Sequence, residues 1–198
     1  MGSLNTLVCN AGIYGPIGPV EDNNWNEWTN AIETNLYGVV NFCRHAVPIF
    51  KKQRQGKIII LSGGGATKPM PNFSAYAASK AAVVRFAETL AEEVKDYNIQ
   101  VNCVAPGSMN TSFMQQAIDA GPYKAGQDFY DRMVEQKING GDSIENAAEL
   151  IAFLASEDSN HITGRLISAV WDDWQSLKDK KLKDNMYTLR RIDKESML

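Results

Sequence analysis

Two side chains in this sequence are spaced to act together. Tyr76 and Lys80 stand four residues apart in Phe73-Ser74-Ala75-Tyr76-Ala77-Ala78-Ser79-Lys80, so on a helix they share one face. A phenol, with a reference pKa near ~10, is a poor acid–base catalyst at neutral pH. An ammonium group one turn away is expected to favour the phenolate and lower that pKa. The pair can then pass a proton to or from an alcohol oxygen. Taken alone, the same spacing also arises where a core tyrosine starts a helix beside a solvated lysine.

The surrounding pattern supplies the elements that would hold such a pair. Four short apolar runs, at Thr6 to Cys9, Lys57 to Leu61, Ile99 to Val104 and Arg165 to Val170, read as buried parallel strands. The first three end in small-residue loops: Asn10-Ala11-Gly12, Ser62-Gly63-Gly64-Gly65 and Ala105-Pro106-Gly107-Ser108. Helical spacing fills the gaps from Asn24 to Gln53, Ala75 to Lys95 and Ser143 to Ala155, with Trp25 and Trp28 on the apolar stripe of the first. Strands alternating with helices predict a doubly wound α/β sheet, with ligands at the carboxyl ends of its strands. The three loops therefore converge on one crevice.

Composition narrows the function classes. The chain has 198 residues, 44% hydrophobic and 22% charged, which suits one globular domain able to bury a core. Its formal charge of −3 gives no electrostatic footprint for nucleic acid or a membrane surface. The odd trio Cys9, Cys43 and Cys103 includes no CxxC pair, so we expect buried free thiols and no metal site. Met1 to Asn5 does not read as a signal peptide, and the expected location is cytoplasmic.

These features, in order, resemble the single-domain short-chain dehydrogenase/reductase (SDR) family. The resemblance runs from Asn5 to about Ala169. It rests on Asn10-Ala11-Gly12 after the first strand, Asn35 in Thr34-Asn35-Leu36-Tyr37-Gly38, a serine-bearing loop after Leu61, Tyr76-xxx-Lys80, Pro106-Gly107 followed by Thr111, and Ile162-Thr163-Gly164. It implies a Rossmann-like fold and hydride transfer between NAD or NADP and a small alcohol or carbonyl substrate. By the same resemblance Tyr76 is the general acid/base. Lys80 lowers its pKa and holds the nicotinamide ribose. Asn35 kinks its helix and holds a water of the proton relay. Asn10, Ala11 and Gly12 lie near the cofactor ribose, and Pro106, Gly107 and Thr111 meet the carboxamide.

Two departures qualify that transfer. The family's serine lies thirteen positions before the tyrosine, where this chain has Gly63; Ser62 is one position further. Either the loop bulges and Ser62 is the catalytic hydroxyl, the reading preferred here, or the chain lacks one; Thr67 and Ser74 are weaker candidates. The family's opening strand and glycine-rich turn are also absent, about 80 residues at roughly 30 per βα unit. With them goes the residue that selects NAD or NADP, so dinucleotide binding by this chain alone is expected to be weak. Thr6 to Cys9 would then be an open sheet edge.

The sequence thus predicts a single partial domain over residues 1–198. Residues 1–108 carry strands and the catalytic helix, 109–141 a substrate lid, 142–170 the last helix and strand, and 171–198 a charged tail packed on a neighbour or solvated. A homo-dimer or homo-tetramer is expected. The rival reading is a catalytically inactive binding or oligomerisation module, built on the helices 24–53 and 75–95 that the resemblance implies pack at a dimer interface, with Ala75, Ala77, Ala78, Ala81 and Ala82 small enough for close approach. An epimerase or dehydratase using the same pair is a third.

Overall fold

A computed structural model describes residues 2–191. It contains, in order, strand β1 (Thr6–Cys9), helices α1 (Trp25–Ile32) and α2 (Gly38–Gln53), β2 (Gly56–Leu61), α3 (Ser74–Val94), β3 (Ile99–Ala105), α4 (Ser112–Ala125), α5 (Gln127–Asn139), α6 (Ile144–Ala155) and β4 (Arg165–Ser168). The four strands form one parallel sheet in the order β1-β2-β3-β4. Each pairs in register with the next, as in Val8 opposite Ile59 and Ile59 opposite Asn102.

Alternation along the strands sends side chains to two cores. Ile58, Ile60, Val101 and Cys103 pack with Cys43 and Phe50 of α2 and Val83, Ala87 and Leu90 of α3. Ile59, Leu61, Val104 and Ile167 face the other way, onto Leu150 and Leu154 of α6 and onto Trp174 and Leu177. Helices on both faces make this the doubly wound parallel architecture that the sequence predicts. Cys9, Cys43 and Cys103 are buried and unbridged. No helix among the described residues is long and apolar enough to cross a membrane.

Three expectations change. The periodicity from 24 to 53 is one run in sequence, but the chain inserts a π-helical turn at Glu33–Tyr37 between α1 and α2. Asn35 lies in this widened turn and is fully buried. Trp25 leaves the apolar stripe: it is 70% exposed and stacks on Trp28 with ring centroids 5.4 Å apart. The tail adds contacts within the chain while most of its side chains from 178 to 191 stay exposed. Tyr187 O accepts from Leu166 N at 2.7 Å, Arg165 Nη1 donates to Asp184 O and Met186 O at 2.8 and 2.9 Å, and Leu189 N donates to Glu88 Oε1 at 2.7 Å. The tail through Arg191 folds back along the β4 edge and over α3; residues 192–198 lie outside the described residues.

The segment expected to be a lid forms α4 and α5. The backbone breaks at Gly121, where φ is 76° just ahead of Pro122, and again at Gly126 with φ of 84°. Glycine supplies the left-handed conformations at no side-chain cost.

Candidate active site

The carboxyl ends of β1, β2 and β3 open into one cleft of about 1580 Å³. Its wall holds Asn10, Gly12, Ser62, Tyr76, Lys80, Pro106, Gly107 and Thr111, so most residues singled out from the sequence share a single space. Ala11 is exposed but is not part of that wall. Asn35 lies behind it, fully buried.

Asn35 is a brace. Its Nδ2 donates to Ile13 O at 2.8 Å and to Ser79 Oγ at 2.9 Å, while its Oδ1 accepts from Ile13 N at 2.8 Å. Ser79 Oγ in turn donates to Tyr76 O at 2.8 Å. This network ties the loop after β1 to the first turn of α3, leaving the Asn35 amide nitrogen no spare proton. Gly12 closes the gap between them, because a Cβ there would lie 3.3 Å from Lys80 Nζ and 3.4 Å from Asn35 Oδ1. Ser79, between the tyrosine and the lysine, was not among the sequence candidates; its position one turn after Tyr76 was the available signal.

Lys80 is buried, and its Nζ donates to Leu61 O at 2.8 Å. An ammonium has three protons, so two remain for a hydroxylated ligand in the cleft. The amine lies 5.7 Å from the centre of the Tyr76 ring. Burial pulls the Lys80 pKa down to about 8, opposed by the Cys103 thiol. Burial pushes the Tyr76 phenol up to about 12. That overturns the expected direction. The lysine is drawn to the end of β2 by Leu61 O, and burial is the cause that sets the direction at the phenol.

The loop after β2 separates the serine candidates. Ser62 is buried and its hydroxyl donates to Lys80 O at 3.4 Å. Ser74 Oγ accepts from the Trp28 indole at 3.0 Å. Thr67 is exposed on the cleft wall. The residue facing the Tyr76 hydroxyl is Gly63, where a Cβ would overlap the phenol oxygen. Gly65 is equally constrained, since a Cβ there would press on the backbone of Ala77 at 2.8 Å. The glycine run thus lets β2 end directly against α3.

A second phenol stands beside the first. Tyr14 packs edge-on against Tyr76, Phe73 and Phe113, with centroids 4.8, 5.0 and 4.6 Å apart. It lines the cleft, and burial together with the neighbouring Tyr76 raises its pKa. Sequence periodicity does not single it out, because its neighbours come from two distant segments, the start of α3 and α4.

The lining fits one end of a nicotinamide dinucleotide. A side-chain-free Gly12, an amine with unused protons and a phenol open to the cleft make a seat for a hydroxylated ring. A family profile described as enoyl-(acyl carrier protein) reductase matches residues 1–169. The chain is similar to dehydrogenase/reductase SDR family member 4 of Sus scrofa, 32% identical over 167 residues, covering 84% of this chain and 58% of that protein. The chain therefore spans less than two thirds of that relative. Among solved structures it is similar to an NAD+-bound xylitol dehydrogenase, with a TM-score of 0.75 at 25% identity over 84% of this chain and 68% of the other. It is also similar to ElxO with NADP bound, with a TM-score of 0.71 at 29% identity over 85% and 66%. Fold, cleft and family profile agree, and this chain belongs to the short-chain dehydrogenase/reductase family.

Proposed function

We propose that the chain carries the catalytic and substrate-binding portion of an NAD- or NADP-dependent oxidoreductase acting on a small alcohol or carbonyl compound. The observation that carries this reading is the convergence of Tyr76, Lys80 and Gly12 on one cleft, braced from behind by Asn35. A bound nicotinamide would supply or accept the hydride. Tyr76 Oη gives its proton to the carbonyl oxygen in reduction and takes it back in oxidation. With its pKa near 12, the free phenol is protonated at neutral pH and ready to act as the acid.

Lys80, with Asn10 and Gly12 beside it, would hold the ribose, and Pro106, Gly107 and Thr111 the carboxamide. Since the Asn35 amide protons are committed to Ile13 O and Ser79 Oγ, a relay water would need another partner beside this turn. Ser62 keeps its place as a candidate hydroxyl only through a rotation away from the Lys80 carbonyl. The described residues furnish a seat for the nicotinamide end of the dinucleotide.

The test is a screen of ketones for oxidation of NADH or NADPH, with Tyr76→Phe as its control. Turnover in the wild type should fall by at least about 10²-fold in the variant. Equal turnover in both removes Tyr76 from the mechanism. Assembly into a homo-dimer or homo-tetramer is part of the same reading. It is supported by Tyr37, Phe42 and Ile49, large apolar side chains left exposed at the π-turn and on α2. Light scattering that returns a monomer at micromolar concentration would remove that part.

A further inference from the structure

A carbonyl oxygen gathers negative charge as its carbon accepts hydride, and each hydrogen-bond donor aimed at that oxygen lowers the barrier. Tyr76 is one donor. The residue packed against its hydroxyl is Gly63, which has no side chain to offer, and the Ser62 hydroxyl is directed to the Lys80 carbonyl. Tyr14 is a second phenol on the same cleft wall. Its ring is fixed edge-on by Phe73, Tyr76 and Phe113 in a T-shaped cluster, an arrangement that holds an aromatic ring in one orientation. Among the described residues neither phenol oxygen has a hydrogen-bond partner, and neither is sealed from the cleft that both line.

We propose that Tyr14 is a second catalytic phenol, whose hydroxyl donates a hydrogen bond to the substrate oxygen that Tyr76 protonates. The proposal rests on the alcohol/carbonyl reading of the cleft. The two phenols divide the work. Tyr76 gives up its proton, while Tyr14 keeps its own and stabilises the developing charge. Burial and the adjacent Tyr76 both favour a Tyr14 that stays neutral. The geometry accounts for three facts together: the bare Gly63, the turned-away Ser62, and a tyrosine in the loop after β1 with an unused hydroxyl.

Tyr14→Phe removes the hydroxyl and keeps the ring packing, so the melting temperature should hold. Ketone reduction is expected to lose about 10²-fold in kcat with KM little changed. A second readout needs no cofactor. Cyclohexanone labelled with 13C at its carbonyl has a resonance that moves downfield with each hydrogen bond its oxygen accepts. Saturating wild-type chain should hold it downfield of its position with either Tyr14→Phe or Tyr76→Phe, and the double variant should hold it furthest upfield. Undiminished kcat in Tyr14→Phe, or the same carbonyl shift in wild type and Tyr14→Phe, overturns the proposal. Full turnover in Tyr76→Phe sinks the functional reading instead, so the two failures are distinguishable. If no ketone turns over, the carbonyl shift decides.

Discussion

Two lysines sit at opposite ends of β2 and share most of their physics. Lys57, at its start, is 6% exposed and donates to Ser159 Oγ at 3.1 Å. Lys80 reaches its end from α3, is 4% exposed and donates to Leu61 O at 2.8 Å. Burial lowers both to about 8. What separates them is the space beside the amine. Lys80 borders the cleft with Tyr76 and Gly12, whereas Lys57 is capped by the serine after α6. A buried cation with a depressed pKa is therefore not by itself a mark of function; an open cavity and a chemical neighbour are.

The largest break in that symmetry should appear in turnover. Lys80→Met keeps most of the unbranched side chain and removes the donor to a ribose, so ketone reduction is expected to drop by about 10²-fold or more. Lys57→Met should leave turnover unchanged. If both variants were equally impaired, the cleft would not be what distinguishes the two residues.

Stability should show a smaller and opposite pattern. Replacing a poorly paired buried cation with an apolar side chain of similar size is often stabilising. Lys57→Met is expected to gain about 1 kcal/mol in chemical denaturation. A clear loss would mean that the bond to Ser159 outweighs the cost of burying the charge.

The same contrast marks how far the sequence could be read. The strand Lys57 to Leu61 and the Tyr76–Lys80 spacing were legible because each is local: periodicity sets the first and one helical turn the second. The π-turn at Asn35 was not, since an extra residue per turn barely disturbs the apolar pattern on either side. Asn35 itself was found, but not its partners Ile13 and Ser79, which come from other segments. Spacing reports a neighbour's distance and not its burial, so the upward direction at the Tyr76 phenol is not legible in it. Tyr14 was missed for a related reason, as its aromatic cage closes only when the loop after β1, α3 and α4 meet. The tail was read from its charge, yet its backbone finds partners at Leu166 and Arg165.

The finest test of the comparison is the pH dependence of stability. Lys80 has a pKa of about 8 in the folded chain against the usual 10.5, so between those values the unfolded chain binds more protons. Stability must then rise with pH across that window, and the contribution is lost as pH falls through 8. Tyr76 acts in the next window. Its pKa is raised from 10.0 to about 12, so its contribution is intact below pH 10 and disappears as the pH climbs toward 12. Together they place a maximum near pH 10. For Lys80 the rise is at most about 3 kcal/mol, from the free energy of ~1.4 kcal/mol per pH unit. Urea denaturation at intervals from pH 7.5 to 10 should give an upward slope in the wild type, a shallower one in Lys80→Met, and a similarly shallower one in Lys57→Met. A slope unchanged in Lys80→Met would mean that its amine is solvated through the cleft, and would turn the likeness between the two lysines into a difference.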